Sequence, residues 1–150
     1  MKKLPVQRVS LITLGVEDLA VSRKFYENLG WTPKDEVPGQ VIFYQLHSAV
    51  LGLFGLEPLA DDQGRPGADL GTGAVTLAQN FRNEAEVDDA FAEAIAAGAT
   101  VLKAPEKVFW GGYSGYYADP DGHPWEVAFN PFWDLDDDGI QTLPDEAASE

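Results

Sequence analysis

The chain has no cysteine, a single methionine and two histidines in 150 residues. Without cysteine there is no disulfide framework and no thiolate to ligate a metal or act as a nucleophile. No apolar run approaches the roughly 18 residues of a membrane-spanning helix, and the opening MKKLPVQR lacks the apolar stretch of a secretory signal. A cytoplasmic protein is therefore expected. Bases are scarce as well: 10 Lys and Arg stand against 25 Asp and Glu, a net charge of −15. Seven of the acids lie in residues 131–150, which hold no base, leaving −15 + 7 = −8 on the rest. Such a surface repels phosphate backbones and anionic lipid, which argues against nucleic-acid and membrane partners. There is no Ser-His-Asp constellation, Walker loop or dinucleotide fingerprint, because Gly64, Gly67, Gly71 and Gly73 do not open a helix after a strand.

What the sequence does contain is a repeat. Val9–Leu14 is a β-rich run, followed by Asp18 as a helix cap and by Leu19, Ser22, Phe25, Tyr26 and Leu29 on one helical face, with Gly30 as the stop. Val75–Gln79 is again strand-like; Asn83 and Glu86 form a capping-box pattern, Val87, Ala90, Phe91, Ala94 and Ile95 make the apolar stripe, and Gly98 ends it. Val9 to Phe25 and Val75 to Phe91 are both 16 residues, which sets the copies 66 positions apart. Strand signals follow each helix: Trp31–Val37, Gln40–Leu46 and Val50–Leu56 in the first half, and Thr100–Lys103, Gly112–Ala118 and Trp125–Phe129 in the second. Asp119-Pro-Asp-Gly122 is a tight turn. The pattern predicts an α+β fold of two tandem βαβββ modules, about 6–57 and 74–130, in one domain over 1–133. Residues 58–73 read as a loop between them, and 134–150 as a loosely ordered acidic tail that Phe132, Trp133, Leu135, Ile140 and Leu143 could pin in part.

The run GVEDLAVSRKFYENLGW resembles the opening strand-helix signature of the glyoxalase, bleomycin-resistance and extradiol-dioxygenase group, the vicinal-oxygen-chelate superfamily, and WGGYSGYYADPDGHPWEV resembles its closing hairpin. The resemblance covers about residues 6–130. It implies two modules curved into a cup-like half-barrel, helices outside and a ligand cavity inside. It also implies a divalent ion in the metal-dependent members, held by side chains of the first and last strand of each module. The first such position, seven residues before Asp18-Leu19, is Leu11, and its repeat partner is Leu77; neither can donate to a metal. Two residues on, the positions become Thr13 and Gln79, of which Gln79 could ligate weakly. Val50–Leu56 holds no carboxylate, with Glu57 just outside, and only the last position is filled, by Glu126. The metal set is therefore expected to be empty, or at most Gln79 and Glu126, and no cofactor is expected.

Alternation places Glu126, Ala128 and Asn130 on one face of the last strand and Trp125, Val127 and Phe129 on the other. If the apolar set meets the helices, Glu126 enters the cup, either as a ligand-orienting or proton-shuttling carboxylate or as a structural acceptor. His47 and His123 are expected in solvent-exposed turns. Phe109–Tyr117 carries Trp110, Tyr113 and Tyr116 among three glycines, and reads either as a stacking wall or as core around a bulge. The expected ligand wall is Leu11, Thr13, Gln79, Trp110, Tyr113, Tyr116 and Glu126, with Gln79 and Glu126 fixing the polar end of a small organic molecule and Glu126 as the tentative catalytic group. Two other readings stand beside this one: a glyoxalase-type lyase, isomerase or dioxygenase with an atypical ligand set, and a protein-interaction module that docks by its acidic tail. A homodimer is expected.

Overall fold

Each predicted helix forms and ends where its cap residues stand. The computed structural model describes residues 6–145. In α1 (Leu19–Asn28), Asp18 accepts from the backbone N–H of Ala20 (2.9 Å), which satisfies a donor the first turn leaves open. Gly30, at φ 91°, closes it: its own N–H donates to Glu27 O and the Trp31 N–H to Tyr26 O. The longer α3 (Glu84–Ala97) is capped by Asn83, which accepts from the Glu86 N–H (2.9 Å). Glu86 reaches back one residue beyond a capping box, to the N–H of Arg82 (3.0 Å).

The strands are β1 (Leu11–Val16), β2 (Asp35–Val37), β3 (Val41–Gln45), β4 (Val50–Gly55), β5 (Leu77–Phe81), β6 (Thr100–Lys107), β7 (Tyr113–Ala118) and β8 (Pro124–Phe129). They form two open four-stranded sheets, β1-β4-β3-β2 and β5-β8-β7-β6, in which β1 runs parallel to β4 and β5 to β8. This is the predicted α+β fold of two βαβββ units. The strand predicted over Trp31–Val37 shrinks to β2, and β6 runs past Lys103 to Lys107. Between the units the predicted loop holds a helix, α2 (Leu56–Asp62). No helix among the described residues is long and apolar enough to cross a membrane.

The repeat is offset by 65 positions rather than 66. The caps Asp18 and Asn83 are 65 apart, and Ile12 and Leu77 hold matching places, opposite Leu51 and Trp125. A slip of one exchanges the two faces of a strand. The structural counterpart of Leu11 is thus Thr76, that of Thr13 is Ala78, and that of Gln79 is Leu14.

One core serves both modules. Leu14, Val16, Leu51, Leu53 and Tyr44 of the first sheet share it with Tyr117, Trp125 and Val127 of the second, and with Phe25, Tyr26, Val87 and Ala94 of the helices. The turn between β7 and β8 clasps the first module. Asp121 accepts from the N–H of Glu17 (2.8 Å) and the hydroxyl of Ser22 (3.1 Å), and Tyr26 donates to Asp119 (2.7 Å). His123 is not a free turn residue as expected: it is half-buried, with Nε2 at 2.7 Å from the Gly15 carbonyl.

The acidic tail is also more ordered than its composition suggests. Residues 135–141 close a short hairpin through the Leu135–Gln141 bridge. Asp136 Oδ1 accepts from the N–H groups of Asp138 and Ile140 (2.9 Å each), and Arg82 donates to the carbonyls of Leu135 and Asp136. Residues 146–150 of the tail lie outside the described residues, as do residues 1–5.

Candidate functional site

The faces of the two sheets opposite α1 and α3 are those a cup would enclose. On the second sheet this face carries Glu126, because Trp125 and Val127, its neighbours in sequence, are buried against the helices. Glu126 lies opposite Tyr116 on β7 and Ala78 on β5. Burial, and then the Glu126 carboxylate, raise the Tyr116 hydroxyl above the ordinary tyrosine value, so Tyr116 keeps its proton and can donate. Lys103, the register partner of Tyr116 on β6, pairs with Glu106 (3.3 Å). A carboxylate acceptor and a phenol donor therefore stand side by side, both partly exposed.

On the first sheet the same face carries Leu11, Thr13, Phe43 and Phe54, since Ile12, Leu14, Leu51 and Leu53 turn toward the core. Leu11 is 47% exposed. Glycine at 15 and 52 leaves room on this face for its covering. A Cβ at Gly15 would stand 2.8 Å from the Leu56 side chain of α2, and one at Gly52 would stand 3.3 Å from the Phe43 ring. Thus α2 roofs one end of β1, a contribution that the Gly- and Pro-rich composition of residues 57–73 concealed.

Of the seven residues expected to form one wall, the structure pairs Tyr116 with Glu126, and Leu11 with Thr13 on the other sheet. The remaining three stand elsewhere. Gln79 is the register partner of Val127 and so shares the helix side of its sheet, away from Glu126. Tyr113 also faces α3, where its hydroxyl donates to Asp88 (2.7 Å) and is pushed up to about 12, first by that bond. Trp110 sits in the β6–β7 turn with its ring over Gly112, where a Cβ would collide with it. Next to it Phe109 is fully exposed. His47 is exposed, as expected. Sequence reasoning gave no place to Lys103, whose position depends on a shift of register within β6.

The family model of the Glyoxalase/Bleomycin resistance protein/Dioxygenase superfamily matches residues 8–127. The chain belongs to this superfamily. A glyoxalase-related enzyme from Fulvimarina pelagi is 41% identical, with a TM-score of 0.85 over 92% of this chain and 99% of that one. A lactoylglutathione lyase from Agrobacterium tumefaciens is 26% identical, with a TM-score of 0.67 over 86% of this chain and 98% of its own. An uncharacterised Mycobacterium bovis protein is 43% identical over 56 residues, which is 37% of this chain and 36% of that protein. The match thus spans about a third of the length of that relative.

Membership in the superfamily raises the question of a divalent ion, and the donor set does not fit one. At the positions where the resemblance implies ligands, the cup faces carry Leu11 or Thr13 on β1, Thr76 or Ala78 at the corresponding places on and before β5, no carboxylate along β4, and Glu126 on β8. Gln79, the one auxiliary donor expected, is on the opposite face of the sheet from Glu126. Among the described residues no three His, Cys, Asp or Glu side chains come together in a way that could hold an ion. One carboxylate and a hydroxyl leave most of a divalent ion's coordination unmet.

Proposed function

We propose that this member of the superfamily binds a small organic molecule on its cup face without a catalytic metal. The observation that carries the reading is the isolation of Glu126. Its register neighbours are Tyr116 and Ala78, so the carboxylate has a phenol beside it and no second metal donor. Glu126 accepts a hydrogen bond from an amine or hydroxyl of the ligand, and Tyr116 donates to its carbonyl or ether oxygen. Phe43 and Phe54 of the first sheet supply apolar surface, and the net charge of −15 favours a neutral or cationic ligand over an anionic one. The partners are this ligand and a second copy of the chain: Val9, Leu11 and Val75, all exposed beside β1 and β5, are the apolar surface a homodimer would cover.

The test is a thermal-shift screen of uncharged and amine-bearing fragments, repeated on Glu126→Gln and Tyr116→Phe. Hits that raise Tm in the parent chain and lose most of that shift in both variants are expected. Hits unaffected by either change would overturn the assignment of the site.

The similarity to a lactoylglutathione lyase favours a second reading, a metal-dependent enzyme of the glyoxalase type. On this chain's own residues it would require Glu126 to be joined by donors that the described cup faces do not carry. A docking role for the acidic tail is less favoured, because residues 135–141 are folded against Arg82 and Asn80.

A further inference from the structure

The two modules are clasped on one side of their seam and open on the other. On the closed side the β7–β8 turn, residues 119–123, reaches β1 and α1 through Asp119, Asp121 and His123. On the open side the equivalent β3–β4 turn, residues 46–49, is one residue shorter. By the 65-residue offset, the counterpart of the Gly15 carbonyl is that of Asn80. The counterpart of His123, the residue just before the last strand of its module, is Ala49, whose methyl group has nothing to donate. The counterpart of the Glu17 N–H is that of Arg82, which is already given to Glu86 (3.0 Å). Among the described residues the β3–β4 turn makes no hydrogen bond to the second module; its bonds stay local, from the Leu46 N–H to the Ala49 carbonyl and from the Gln45 amide to the carbonyls of Leu46 and Ala49. The missing clasp leaves a cleft of about 1010 Å³, open to solvent, with Ala49 and Asn80 in its walls.

The interior of this cleft is aromatic. Trp31, Tyr44 and Trp125 line it, with Trp31 set edge-on to Trp125 (centroids 5.7 Å apart, 90° between planes) and to Tyr44 (5.8 Å, 65°). Its amide and guanidinium groups are mostly engaged, whereas the buried Tyr44 hydroxyl in its wall has no hydrogen-bond partner among the described residues. The Asn80 amide donates to Gln141 (3.0 Å), the Gln141 amide to Asp134 and Thr142, the Gln45 amide to Leu46, and the Arg82 guanidinium to the carbonyls of Leu135 and Asp136. Gln79 is the wall amide that has no hydrogen bond among the described residues. The Arg82 guanidinium is drawn onto two backbone carbonyls, and the carboxylates of Glu86 and Asp138 in the wall oppose an anionic ligand.

We propose that this intermodule cleft is a second binding site, distinct from the cup face, for a planar, uncharged aromatic molecule that carries an amide-like edge. The ring packs against Trp31, the partly exposed member of the Trp31–Trp125 pair, and the donor and acceptor of the edge meet the Gln79 amide. A cleft of this size can enclose a drug-sized ligand. Glu126 lies on the other side of the second sheet from Gln79, so the site does not depend on the function proposed for the cup.

The probe is 2-naphthamide, titrated into the full chain by tryptophan fluorescence and by amide chemical shifts, beside naphthalene-2-carboxylate and 2-naphthylmethylamine. Saturable binding of the amide is expected, with shifts at Trp31, Gln79 and Trp125 and weaker binding of both charged analogues. Gln79→Leu should weaken it about fivefold, the effect of one net hydrogen bond. Ala49→Trp should abolish it by filling the cleft, and Glu126→Gln should leave it unchanged. A folded Gln79→Leu chain that binds as the parent does, shifts confined to Tyr116 and Glu126, tighter binding of either charged analogue, or no binding at all would each overturn the proposal. Should Ala49→Trp fail to fold, Gln79→Leu and the analogue series still decide it.

Discussion

Tyr26 does more for this molecule than its place on an apolar stripe requires. Its hydroxyl donates to the Asp119 carboxylate (2.7 Å) and accepts from Trp125 Nε1 (3.1 Å), and all three residues are buried. Removing that hydroxyl leaves a buried acceptor and a buried donor unmet. Tyr26→Phe should therefore cost about 1–3 kcal/mol in urea unfolding, more than a surface Tyr→Phe change. The helical spacing showed that Tyr26 would be buried, but not what its hydroxyl would meet, because that partner lies 93 positions away. The same neighbourhood sets an alkaline limit. Burial, helped by Asp119, pushes the Tyr117 hydroxyl up to about 12 from 10.0. Between those values the folded chain holds a proton that the unfolded chain has released. Stability present below pH 10 is therefore lost as pH rises toward 12. Equilibrium unfolding across that interval should show a decline that Tyr117→Phe reduces. Burial likewise raises Asp119, so its contribution falls as pH climbs above the ordinary value of 3.8, and Asp119→Asn should flatten that part of the profile.

At the scale of elements, pattern and cap were enough for the helices and most strands, because apolar period, cap residue and stop glycine agreed at α1 and α3. The boundary of β2 was lost because Trp31, at the head of a strand-like run, is drawn into the aromatic cluster with Tyr26 and Tyr44 instead of pairing. The helix α2 went unseen inside a Gly- and Pro-rich stretch. The acidic tail was read from its charge, yet Asp136 folds it by accepting backbone hydrogens, a local bond that net charge does not reveal. The candidate site suffered most from one residue of register. The offset of 66 equated Gln79 with Thr13 and placed it beside Glu126, whereas the offset of 65 puts it on the other side of the sheet. Period-two alternation makes such a slip total. The bulge in β6 makes a separate prediction. A Cβ at Gly115 would stand 2.8 Å from the backbone nitrogen of Pro105 and 3.0 Å from the Lys103 carbonyl, neither of which can rotate away. Gly115→Ala should cost about 1–3 kcal/mol and loosen the β6–β7 pairing, seen as faster amide exchange along β6.

The whole molecule holds its modules together by a shared core and a one-sided clasp. Tyr26, Ser22 and Gly15 of the first module meet Asp119, Asp121 and His123 of the second, all in one turn. Asp121→Ala removes the acceptor for the Glu17 N–H and the Ser22 hydroxyl at once. It should lower Tm while leaving helical circular dichroism unchanged, because no helix depends on that carboxylate as its cap. The proposed homodimer is tested at this scale by light scattering: a mass near twice 16.3 kDa is expected, and Leu11→Asp should shift it toward the monomer. The central assignment is that the family's cup persists here while its metal donors are gone. Mass-spectrometric metal content of untagged protein, expressed in metal-replete medium and dialysed, tests this most directly. Well under a tenth of an ion of Ni, Zn, Mn or Fe per chain is expected; a stoichiometry near one per chain would contradict it, and dicarbonyl and catechol-type substrates would then be the compounds to assay.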